Sequence, residues 1–72
     1  MSEHRSELGD RLQQLRQARG ESLRQAAAGI GCTKTHLHEL ERGVSANPSL
    51  SLLRGLAAHY GVTVAQIIGD AP

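Results

Sequence analysis

Cys32, Lys34, Thr35, His36, His38, Glu39 and Arg42 crowd into one short stretch of the chain, and side chains of these types can do three kinds of chemistry. A thiol with imidazoles nearby can bind metal. A thiol or hydroxyl beside an imidazole can act as a nucleophile. A lysine, a threonine, a histidine and a glutamate on successive helical turns can exchange hydrogen bonds with base edges. The metal reading lacks geometry: His36 and His38 diverge by about 200° on a helix, and a site with Cys32, His36 and His59 would still want a fourth ligand. Cys32 therefore reads as an inert core thiol. The catalytic reading lacks a third orienting group, a glycine-rich phosphate loop after a strand, and room for a pocket. No enzyme, metal, cofactor or small-molecule ligand is expected. Hydrogen-bonding recognition remains.

Such a surface needs a scaffold, and 72 residues allow one domain. With 39% hydrophobic and 1% aromatic residues, the core must be built from Leu, Ile, Val and Ala. Domains of this size bury only about 60% of their unfolded surface, so dimerisation is expected to help. A formal net charge of +1 excludes a polybasic tail, and any polyanion site must rest on local arrangement. A single cysteine and a polar start unlike a signal peptide predict a reducing, cytoplasmic setting, and no apolar run is long enough to span a membrane.

The elements follow from spacing and punctuation. Leu8, Leu12, Leu15 and Ala18 make one face of a first helix, with Ser6 as its cap and Gly20 as its stop. Ser22 and Gln25 form a capping box for a second helix through Ala26, Ala27, Ala28 and Ile30 to Gly31. Thr33 caps a third, about Lys34 to Arg42, with Leu37 and Leu40 inward and Gly43 at its end. Ser49 caps a fourth carrying Leu50, Leu53, Leu56, Ala57 and Tyr60. Thr63 caps a short fifth with Val64, Ile67 and Ile68. No segment alternates with period two. The prediction is all-α: five helices in a domain over 7–69, with tails at 1–6 and 70–72.

Residues 22–42 are the informative unit. Ala27 permits two helices to cross closely, Gly31 suits a turn with positive φ, and Leu37 and Leu40 pin the second helix of the pair to the core. This is a helix-turn-helix, which presents its second helix to the DNA major groove. On Leu8–Gly9–Asp10–Arg11–Leu12, Leu15–Arg16, Gly31–Cys32–Thr33, Leu37 to Gly43, Asn47–Pro48–Ser49–Leu50, Leu56–Ala57 and Tyr60–Gly61–Val62–Thr63, the chain resembles the Cro and lambda-repressor-like (XRE-type) regulators over about 8–68. The resemblance implies a five-helix DNA-binding domain, usually a dimer on a pseudo-palindromic operator. It also implies that Arg16 pairs with Glu41, tying the first helix to the third. Three departures stand out: Leu23 where many members carry a phosphate-touching glutamine, Ala26 where leucine is usual, and a loop from Gly43 to Pro48 one residue longer than the commonest form.

With Leu37 and Leu40 inward, Lys34, Thr35, His38 and Glu39 face outward as candidate base contacts, and His36 lies to the side. Phosphate contacts are expected from Arg42, the Asn47 loop and the backbone amides at Ser22 and Thr33, with Arg11 and Arg24 as further candidates. The histidines predict tighter DNA binding at pH 6 than at pH 8. Val64, Ile67 and Ile68 are the expected dimer surface. The expected protein is therefore a bacterial or phage transcription regulator, in the simplest case a repressor, binding operator DNA as a homodimer. The alternative is an antitoxin-like or adaptor module whose partner is another protein, favoured by the low net charge, Leu23 and the glutamates of the third helix.

Overall fold

The computed structural model describes residues 7–44 and 47–69, so the Ser6 cap lies outside the described residues. The chain folds as α1 (Glu7–Ala18), α2 (Leu23–Ile30), α3 (Lys34–Arg42), α4 (Leu50–Tyr60) and α5 (Val64–Ile68), with no strand among the described residues. The caps set most helix boundaries. The Gln25 amide donates to Ser22 Oγ at 3.1 Å while the Ser22 amide donates back to Gln25 Oε1 at 2.9 Å. Thr33 and Ser49 accept from the amides of His36 and Leu52 at 3.0 and 3.1 Å. Thr63 and Gln66 close a second capping box, unread in the sequence although its spacing matches that of Ser22 and Gln25. Each cap satisfies an amide that the helix itself leaves unpaired. Between α2 and α3, Gly31 takes φ 96°, and its amide and that of Cys32 both donate to the Ala27 carbonyl. A side chain there would strain that left-handed turn.

α1 packs on α3 and α5, α2 on α3 and α4, and α4 on α5. Leu12, Leu37, Leu40, Leu56 and Ile67 are fully buried at the centre, with Ala26, Ala27, Ala57 and Tyr60 around them. α1 and α3 cross tightly at Gly9. A Cβ there would lie 2.7 Å from the Leu40 carbonyl oxygen and against that of Glu41. Gly9 is buried inside a helix, a glycine kept for close approach rather than for a turn.

Two residues of the predicted apolar faces are exposed: Ala18 and Leu50. Ala18 stands about 80° around α1 from Leu8, off the stripe. Leu50 opens α4 at the margin of its apolar stripe and is 55% exposed.

Candidate nucleic-acid interface

α3 has two unlike sides. Leu37 and Leu40 are fully buried and Glu41 nearly so, whereas Lys34, Thr35, His38, Glu39 and Arg42 are exposed. The anchored side fixes the orientation of the exposed one, which carries donors, an acceptor and a hydroxyl in a single row. His36 is partly buried. It lies in a cleft between the α2–α3 turn and the start of α4, with Cys32, Thr33 and Ser49. Its neighbours therefore differ from those of His38.

His38 and Arg42 line a second cleft, of about 400 Å³, together with Leu23, at the start of α2, and Gln13 of α1. Gln13 was not singled out in the sequence, although it precedes Arg16 by three residues and so shares its side of α1. The floor of this cleft is the Arg16–Glu41 pair: Nε and Nη2 of Arg16 donate to the two carboxylate oxygens at 2.7 and 3.0 Å. The remaining nitrogen, Nη1, donates to the Glu21 carbonyl at 2.9 Å. Charge-assisted two-point pairing of this kind fixes angle as well as distance. The hydrogen bond with Glu41 raises the Arg16 pKa further above its usual range, against the opposing effect of burial.

The caps Ser22 and Thr33 are exposed, as are Arg24 and Asn47. Arg11 is placed differently. Its guanidinium donates to the Ile67 carbonyl at 3.3 Å and pairs with Glu7 at 3.3 Å, tying α1 to α5. It stands about 140° around α1 from Arg16, with its guanidinium engaged within the domain. Ile67 is corrected: it is fully buried within the chain, where a partner cannot reach it. Val64 is half-buried against the same core, and Ile68 is 48% exposed.

A further polar cluster was not read from the sequence. Glu21 accepts from His59 Nε2 at 2.8 Å and lies 3.5 Å from Arg19 Nε. The His59 hydrogen bond lowers the Glu21 pKa. Tyr60 contacts the His59 ring edge-on at 4.9 Å. Its hydroxyl is buried without a hydrogen-bond partner among the described residues, and burial, aided by Glu41 and Glu21, pushes its pKa up to about 12. Burial also raises the Cys32 thiol, which disfavours the reactive thiolate. Among the described residues no three His, Cys, Asp or Glu side chains gather as a metal site, and no helix is long and apolar enough to cross a membrane.

Residues 7–67 match the model of a helix-turn-helix domain. The chain is 43% identical over 61 residues to the HTH-type transcriptional regulator DdrOP3 of Deinococcus deserti, covering 85% of this chain and 46% of that protein. It is 32% identical over 63 residues to the HTH-type transcriptional regulator SinR of Bacillus subtilis, covering 88% and 57%. The chain thus spans about half the length of the curated relatives it matches. The crystal structure of SinR, a master regulator for biofilm formation, in complex with DNA superposes with a TM-score of 0.81 at 33% identity, covering 85% of this chain and 97% of that one.

Proposed function

The chain belongs to the helix-turn-helix domain family, and on that premise we propose that it is a sequence-specific, double-stranded DNA-binding regulator of transcription. One observation carries the reading above the others: α3 is anchored by Leu37, Leu40 and Glu41 and turns Lys34, Thr35, His38, Glu39 and Arg42 outward together. In the major groove, Lys34 donates to guanine O6 or N7 and Thr35 meets a thymine methyl or a phosphate. Glu39 accepts from cytosine N4, and His38 donates to a base or a phosphate. His36, seated to one side, reaches the neighbouring backbone. Phosphates are met by Arg42, Arg24, Asn47 and the amides at the starts of α2 and α3, where helix dipoles favour an anion. Gln13 joins this set through the cleft it shares with His38 and Arg42. The Arg16–Glu41 pair contributes indirectly, by holding α3 at its angle to α1.

The protein acts as a homodimer on a two-fold operator with half-sites about 34 Å apart, and represses by occupying the promoter. Ile68 and the exposed edge of Val64 are the apolar groups of α5 left for that contact.

Selection of duplexes from a random-sequence pool tests the reading, with a Lys34→Ala/Thr35→Ala variant in parallel. A two-fold motif recovered by the wild type and lost by the variant supports it. No enrichment by the folded wild type overturns it in favour of a protein-binding module. Salt adds a second arm: log affinity should fall by about 0.9 per phosphate contact per log unit of salt, whereas a protein interface responds weakly.

A further inference from the structure

Gly29 lies inside α2, where helix propensity favours alanine. A Cβ at that position would fall on the imidazole of His59, so the glycine makes the space in which the α4 ring sits. From this seat His59 Nε2 reaches Glu21 Oε1 at 2.8 Å. Glu21 lies in the short turn between α1 and α2, immediately before the Ser22 cap. Its carbonyl accepts from Arg16, and its carboxylate lies 3.5 Å from the half-exposed Arg19.

Other charged and titratable groups near the ring are few. Tyr60 follows it on α4 with its hydroxyl in the field of Glu41, Glu21, Arg16 and Arg19. α5 has no ionisable side chain, and the one on α2, Arg24, is exposed.

A carboxylate at this place is a problem for a DNA-binding surface. The amino end of α2 is assigned above to a phosphate, and Glu21 is the residue that adjoins it in the chain. A neutral imidazole can keep the hydrogen bond, but only a protonated one adds to the partial compensation that half-exposed Arg19 gives at 3.5 Å. We propose that His59 is a proton-dependent positioning residue: it holds the Glu21 carboxylate against the protein and cancels its charge beside the DNA-facing turn, so that protonation of His59 strengthens DNA binding. This rests on the DNA-binding reading. It assigns the pH sensitivity expected of the histidines to one that lies outside α3.

The test is binding to a selected duplex at constant salt from pH 5.5 to 8, by fluorescence anisotropy, with thermal melts confirming that each variant is folded. Wild-type affinity should rise on the order of threefold to tenfold between pH 8 and pH 6, the gain of about one favourable charge. His59→Gln, which can still donate to Glu21, should flatten that rise to less than about twofold. Glu21→Gln should bind at pH 8 about threefold more tightly than wild type, although it weakens the pairing with His59. A merely structural brace requires the opposite sign. A wild-type slope in His59→Gln, or weaker binding by Glu21→Gln at pH 8, overturns the proposal while leaving the DNA reading intact. A folded wild type that binds no selected duplex removes both. If His59→Gln does not fold, calorimetry in buffers of differing ionisation enthalpy replaces it. Proton uptake on binding should persist in His36→Gln and in His38→Gln, and its loss in either assigns the effect to α3 and overturns the proposal.

Discussion

Two side-chain pairs brace the same part of the molecule and are built on opposite terms. Arg16–Glu41 joins α1 to α3 through two hydrogen bonds, with side chains 13% and 3% exposed. Glu21–His59 joins the α1–α2 turn to α4 through one, with side chains 19% and 13% exposed. Guanidinium stays charged at any working pH, so the first pair is permanent. The second joins a carboxylate to an imidazole, a group that carries a charge only when protonated. The contrast separates what fixes the recognition helix from what adjusts the turn beside it. A dry, two-point, non-titrating pair gives α3 its angle, and a single-point titratable pair can vary without disturbing it.

Breaking the permanent pair should have the largest effect. Arg16→Ala leaves Glu41 charged, buried and unpaired, which costs about 3–5 kcal/mol. In a domain this small that lowers Tm by upwards of about 12 °C, read by circular dichroism. Glu41→Ala should match it. A Tm within about 4 °C of wild type would mean that the pair does not hold α3. Abolished binding with an unchanged melt would instead assign Arg16 to DNA.

Gly29→Ala sharpens the other side of the comparison. Alanine is better than glycine in a helix by about 1 kcal/mol, but here it displaces the His59 ring, so a net loss of about 1–2 kcal/mol is expected. In a His59→Ala background the same substitution should become stabilising by up to about 1 kcal/mol. Urea denaturation of the four proteins checks the reversal of sign. The same sign in both backgrounds would separate Gly29 from His59.

Acid should act on the adjustable pair. The folded-state pKa of Glu21 lies below its ordinary value, so its contribution is present at neutral pH and is lost as pH falls through that lowered value. Melting curves of wild type and Glu21→Gln should differ at pH 6 and converge only as pH falls below the ordinary carboxylate range. A constant difference across that range would show that Glu21 does not titrate as a paired carboxylate.

The smallest effect at neutral pH belongs to the single tyrosine. Its phenol stays protonated until about pH 12 in the folded chain. The unfolded chain ionises near pH 10, so folding stability should fall only above that value. Absorbance titration of the one phenolate signal should show a midpoint near 12, and a midpoint near 10 would place Tyr60 in water.

Much of this architecture is local and was therefore legible. Ser22 with Gln25, Thr33, Ser49 and Thr63 cap helices because each oxygen reaches an amide three residues on, a relation that spacing alone displays. The outward set on α3 follows from the helical period once Leu37 and Leu40 are inward. The Arg16–Glu41 pair was implied by family resemblance, since no spacing rule connects residues 25 apart. Period also misled at the margin of a stripe, as at Ala18 and Leu50. Ile67 and Ile68 are adjacent and equally apolar, yet only packing decided that one belongs to the core and the other to the surface.

Caps, helical period and the turn at Gly31 were thus written into the chain, because they depend on neighbours within one or two helical turns. The seat of His59 on Gly29, its reach to Glu21 across 38 residues, the attachment of Arg11 to α5 and the tight α1–α3 crossing at Gly9 were decided by tertiary structure alone. Each depends on the distance between two helix axes, a quantity set by the whole packed core and carried by no local pattern of residues.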